Sequence, residues 1–253
     1  MVGNLLLRGM IVGVIAGLLA FGFARIFGEP QVDRAIAFEE QLSAAEQAAS
    51  GQPAVEEPEI VSRTTQAGIG LLTGVVLYGA AIGGLFSLVF AYAHGRVGRL
   101  SPRATAALLA LAGFITIVIV PDLKYPANPP AVGNPETIGA RTELFFVMLV
   151  VSITAAVASI SLAQRLWESR GAWNAAIIAG LAFVVVIAIA QYALPTVNEV
   201  PETFPADLLW RFRVASLGLH AVLWTVIGLG FGALAQRSLA EYRPTAAIRA
   251  AAR

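Results

Sequence analysis

Two histidines and a scatter of carboxylates, set against long apolar runs, are the residues of this chain best suited to chemistry. His220 stands with Arg213, Ser216 and Trp224 at spacings of three and four, so that on a helix all four side chains point one way. An imidazole within an apolar run is costly, and it faces a bundle interior or a wet cavity. There it would serve as a metal ligand or a proton-handling group. The alternative is a neutral histidine hydrogen-bonded across to a neighbouring helix. His94 ends an apolar run just before Gly95, where a helix cap and a favourable dipole position account for it without a ligand role.

Hard cations need several oxygen ligands converging on one point. The candidates are Asp122, Glu199, Glu202, Glu29 and Asp33, each of which, taken alone, equally fits a solvated loop. Glu143 opens a helical run, where a carboxylate complements the helix N-terminus; it is also a candidate to face the same vestibule. Asp122 belongs to a segment, 121–137, that contains Lys124-Tyr125-Pro126-Ala127-Asn128-Pro129-Pro130 and carries five prolines in fifteen residues, a stiff and extended cover. Glu199 and Glu202 belong to 194–207, which repeats the mixture of prolines and carboxylates and leads into Trp210-Arg211-Phe212-Arg213. Two stiff acidic loops on one face would form a vestibule.

These loops are positioned by apolar segments. Six continuous runs, 5–27, 67–93, 104–120, 144–162, 175–194 and 214–234, approach or exceed the roughly 20 residues that a helix needs to cross a hydrocarbon core. The third, at 17 residues, is the shortest. They show no period-two alternation, and Gly and Ala are interspersed, as in packed membrane helices. The expectation is an all-α integral membrane protein, a single polytopic domain of six transmembrane helices. Of the 253 residues 57% are hydrophobic and 13% charged, which a soluble domain of this length does not match. The first run has 23 residues and no clean cleavage site after it, so it reads as a retained helix and not as a secretory signal.

Orientation follows from the basic residues, which resist translocation in short loops. With both termini cytoplasmic, ten of the seventeen lie inside, including Arg96, Arg99, Arg103, Arg165, Arg170 and a short tail over 236–253. Arg141, Arg211 and Arg213 then sit at outer helix ends, where long side chains snorkel to the headgroups. Fourteen of the sixteen acidic residues fall outside, a skew that would concentrate cations at the mouth of a path. Part of it is the Ala/Glu/Gln-rich stretch within 39–62, which reads as a flexible acidic loop; the segment before it, 29–40, has the spacing of an interfacial amphipathic helix. Gly9, Gly13 and Gly17, Gly70 with Gly74, and Gly79 with Gly83 recur every four residues and let helix backbones approach closely.

The chain has no cysteine, no phosphate-binding loop and a single lysine, Lys124, which removes thiol chemistry and ATP hydrolysis by that route. Basic residues form a membrane-edge pattern, so nucleic acid is not an expected partner. No H-E-x-x-H or serine motif supports an enzyme, and no cofactor is expected.

The opening stretch from Gly9-Met10 to Gly28-Glu29-Pro30, the Lys124 to Pro130 motif and Trp210-Arg211-Phe212-Arg213 together resemble the CbtA family, over nearly the whole chain from Leu5 to about Arg237. The resemblance implies a membrane subunit of a cobalt transporter in the bacterial plasma membrane, linked to cobalamin metabolism. It also implies uptake as the direction and a small single-span, histidine-bearing partner, CbtB. The alternative is a non-transporting assembly or regulatory subunit. The residues add a constraint: Co2+ favours imidazole with carboxylate or water, yet neither histidine lies in an outer loop. A partner would supply imidazole, or the ion would cross with part of its water shell.

Overall fold

A computed structural model describes residues 2–50 and 61–240. Among them are helices and no strand: α1 (Val2–Phe23), α2 (Glu29–Ser50), α3 (Arg63–Thr65), α4 (Leu71–Ala93), α5 (Pro102–Gly113), α6 (Val120–Lys124), α7 (Ile138–Ala193) and α8 (Ala206–Val226). Single π-helical turns over Ala24–Gly28, Gln66–Gly70, Phe114–Ile119 and Ile227–Phe231 join these into longer rods. Five rods among the described residues are long and apolar enough to cross a membrane: Val2–Ala49, Arg63–Ala93, Pro102–Lys124, Ile138–Ala193 and Ala206–Ala240.

The shortest apolar run is extended in both directions. Ser101 caps α5, its hydroxyl accepting from the Ala104 amide at 3.2 Å, and Pro102 occupies the first turn, where its missing N–H is not needed. At the far end Pro121 has no N–H to give to Ile117, and the turns before it take π geometry and run on into α6. The result is a rod of 23 residues.

Two of the six apolar runs, 144–162 and all but the last residue of 175–194, lie in α7, whose 56 residues would measure about 84 Å if straight. It is not one straight helix. Gly171 takes φ 75° and ψ 159°, a conformation essentially confined to glycine, and interrupts the helical path. Met148 and Ala155 from before the break share one apolar cluster with Ile187 from after it, together with Val120 and Tyr125, so the chain folds back at Gly171.

Composition misleads over 39–50. Read as the start of a flexible loop, these residues instead continue α2. Ala, Glu and Gln are strong helix formers, and a helix already docked at its first turns propagates into them at little cost. The remainder of that loop over 51–60 and the tail over 241–253 lie outside the described residues, while 236–240 of the expected tail is helical.

The chain divides into two compact units. The first comprises Met1–Phe23, Thr65–Phe114 and Leu219–Arg253. In it α1 and α4 meet backbone to backbone: Gly9 lies against Gly83 and Ser87, Gly13 against Gly79, and Gly17 against Val75 and Val76. A Cβ on Gly17 would stand 2.7 Å from the Val76 Cα. Gly74 meets open space and Gly70 only its own turn, so that pair is not part of the seam. Phe86 and Phe90 pack edge-on against Phe231 at 5.5 and 5.0 Å. The second unit, Ala24–Thr64 with Ile115–Gly218, holds the Val120 cluster and a smaller one of Ala35, Val132, Phe204 and Leu208.

Candidate functional site

The two proline-rich loops of the second unit are tied to each other by a polar knot. Tyr125, which follows α6, is buried and its hydroxyl donates to Pro195 O at 2.8 Å. Burial raises its phenol above the usual value, which keeps the donor protonated. Beside it Lys124 Nζ donates to Gln191 O at 2.7 Å and to Thr196 Oγ1 at 3.1 Å, and Gln191 Nε2 returns a bond to Val120 O at 2.9 Å.

Glu199 is the centre of the knot, its side chain only 2% exposed. Thr137 Oγ1 donates to its Oε1 at 2.7 Å, and Asn128 Nδ2 to its Oε2 at 3.3 Å, with Arg141 Nε 3.5 Å from the same oxygen. Arg141 also donates to Pro126 O. Arg213, from the third turn of α8, donates to Ala127 O at 3.2 Å and to Asn128 Oδ1 at 3.1 Å. Asp122 is half-buried, in the field of Arg141 and Arg213 but within ion-pair distance of neither. Glu199 with Arg141 is thus the ion pair of the knot.

Of the other candidate carboxylates, Glu29 and Asp33 converge on Arg63, Asp33 Oδ1 at 2.9 Å. Glu143 and Glu202 are exposed on α7 and on the 194–205 loop. Among the described residues no group of three His, Asp or Glu side chains is gathered closely enough to hold a metal ion. Among the described residues the candidate carboxylates thus fall mainly in two places, one tied by Arg63 and one by Arg141.

The histidines belong to the first unit. His94 is the C-terminal cap of α4, stacked on Phe90 at 5.1 Å with Nδ1 3.3 Å from Thr105 Oγ1. His220 packs edge-on against the Tyr78 ring at 6.3 Å, and its Nδ1 is buried without a hydrogen-bond partner. Trp224, one turn on, likewise buries Nε1 unpartnered. Two orphaned polar atoms on one stripe are each expensive. The cross-helix hydrogen bond that would make His220 purely structural is not formed by Nδ1.

The sequence model of CbtA, described as a probable cobalt transporter subunit, matches residues 2–236. The chain belongs to the CbtA family. No curated protein and no solved structure matches it. As a CbtA chain it is a probable cobalt transporter subunit, which is not an enzymatic role, and its apolar helices suit a multi-pass membrane protein. Two of the three stretches that carry the resemblance enter the knot, Lys124, Tyr125 and Asn128 from one and Arg213 from the other. Arg141 and Thr137 lie outside those motifs. Arg141 gives no local signal beyond its place at a helix start, and only the excess of basic residues beside acidic loops hints at pairing.

Proposed function

We propose that this CbtA chain is the membrane subunit through which a divalent metal ion, Co2+, is taken up across the bacterial plasma membrane, and that the knotted loops form the entrance. The observation that carries this reading is that the Glu199 carboxylate, Asn128 Oδ1 and the Pro126 and Ala127 carbonyls of two proline-rich loops are drawn together around Arg141 and Arg213, with Asp122 in the field of both. Oxygen donors of this kind suit a partly hydrated hard or borderline cation. Glu29 and Asp33 form a second acidic contact; Glu202 and Glu143 extend the negative surface. His220, whose Nδ1 is buried without a hydrogen-bond partner, is the imidazole proposed to meet the ion inside the membrane.

The proposal includes six crossings with both termini cytoplasmic. The break at Gly171 supports two crossings by α7, because exposed Trp167 and Trp173 flank it, while exposed Tyr192 and Trp210 lie near the opposite ends of the helices they belong to. Tryptophan and tyrosine favour the headgroup levels on both sides of a bilayer. With one histidine in the first unit's interior and none in the loops, a small single-span CbtB-like subunit supplies further imidazole. A non-transporting assembly or regulatory subunit is the competing reading.

Reconstitution separates the two. The purified chain in liposomes loaded with a metal-sensitive dye, with and without the single-span subunit, should admit added Co2+ faster than empty liposomes, and Asp122→Asn should slow it. Equal rates in protein-containing and empty liposomes, with the partner present, would remove the transport reading.

A further inference from the structure

We infer that the groove between the two halves of α7 holds an acyl chain of an anionic phospholipid whose phosphate meets Arg165; this rests on the proposed crossing of α7 as a hairpin. The groove has a volume of about 400 Å3 and is lined from Val150 to Leu162 on one side and by Ala182 and Val186 on the other, so both walls belong to the second unit. It exists because the facing residues are small. Ala155 packs into the Val120 cluster with Ile187, whereas Ala158, Ser159 and Ala182 leave the space beyond it unfilled. Thr154, Ala158 and Val186 are exposed, so the groove is open along its length and is not an enclosed void. Of the five long apolar rods α7 is also the least covered, with 17% of its most apolar stretch buried.

The dimensions of the groove and its charged end select the occupant. From Val150 to Leu162 a helix rises about 18 Å, over which that volume leaves a mean section of about 20 Å2, against about 80 Å2 for a helix 10 Å across. A single extended alkyl chain fills such a groove, whereas a second helix would only lie over it. Thr154, Ala158 and Leu162 recur every four residues and Arg165 follows three residues on, so the apolar floor ends at an exposed guanidinium. Arg170 follows just before the break at Gly171. Neither arginine forms a salt bridge among the described residues, and Glu168 is the one acidic side chain of the turn. Exposed Trp167 and Trp173 mark the headgroup level there. An apolar groove that ends in cations at that level matches a molecule with alkyl chains and a phosphate, and basic pockets between membrane helices bind such headgroups.

The test is native mass spectrometry of the full chain purified in detergent and titrated with dioleoyl phosphatidylglycerol, with dioleoyl phosphatidylcholine, or with glycerol phosphate, which carries the charge without a chain. The wild type should retain phosphatidylglycerol several-fold more than phosphatidylcholine, and glycerol phosphate not at all. Ala158→Phe puts a ring into the groove and should lose most of the retained lipid, while Val157→Phe, at an exposed position outside the groove, should match the wild type. Arg165→Gln leaves the groove open and should retain the two lipids equally; it carries the comparison if Ala158→Phe fails to fold. Equal retention of the two lipids by the wild type, undiminished retention by folded Ala158→Phe, undiminished preference in Arg165→Gln, binding of glycerol phosphate alone, or a dimer of the chain that Ala158→Phe dissociates would overturn the inference. Each of these leaves the hairpin crossing standing, which falls instead if a cysteine at Ser169 is labelled from outside intact cells.

Discussion

Glu199, a carboxylate of the proposed entrance, also holds two loops together. Its carboxylate takes Thr137, Asn128 and Arg141, and its side chain is 2% exposed. Removing one partner of such a pair strands the other, so Glu199→Ala should lower stability by about 3 kcal/mol, the low end for a buried pair because Arg141 retains some solvent. That corresponds to a fall of roughly 6 to 12 °C in apparent melting temperature for a chain of this size. Glu199→Gln keeps the shape and an acceptor for Thr137 and should cost clearly less. A thermal unfolding series in detergent in which the two variants match the wild type would remove the latch role. His220 differs, its Nδ1 buried without a hydrogen-bond partner. His220→Ala should therefore lower metal uptake at unchanged protein level, and unchanged uptake would return it to a packing role.

At the scale of elements, the glycines divide by what surrounds them. Gly13 lies directly on the Gly79 backbone, so Gly13→Leu must push α1 off α4 and should abolish folded protein, whereas Gly74→Leu enters open space and should be tolerated. Gel-filtration yield in detergent distinguishes the two. One substitution should also change sign along α7. Gly171→Ala meets no neighbour but forces alanine to φ 75°, a loss of about 1 to 3 kcal/mol, while Gly180→Ala sits in open space on a regular helix and should gain up to about 1 kcal/mol. The apolar runs were legible in the sequence because each crossing helix must satisfy its own backbone and so announces itself locally. The helical continuation over 39–50 was not, since Ala, Glu and Gln compose both solvated loops and helices, and only docking of α2 through Ala35 and Phe38 decides between them. The knot was half legible. Stiff acidic loops pointed to Asp122 and Glu199, but convergence on Arg141 joins residues 58 positions apart, and nothing local encodes it.

For the whole molecule, the proposed six crossings require the two halves of α7 to cross separately. The absence of native cysteine makes this directly testable, because single cysteines can be introduced without first removing any. Cysteines at Asn134 and Asn198 should react with an impermeant thiol reagent in intact cells, and one at Ser169 only after permeabilisation. Labelling at Ser169 from outside would contradict the hairpin crossing. Charge supports the same orientation: basic residues gather near the break and the C-terminal end, acidic ones in the loops of the knot. The proposed orientation would put the carboxylates where an external cation first meets the protein.

Cobalt transport is tested by radioactive cobalt accumulation in metal-starved cells that lack other cobalt importers, comparing this chain alone, this chain with the proposed single-span partner and an empty vector. Accumulation above vector, strongest with the partner and reduced unequally by excess nickel and manganese, is the predicted result. Accumulation equal to vector in both constructs, with the protein verified in the membrane, would contradict transport and leave the assembly or regulatory subunit.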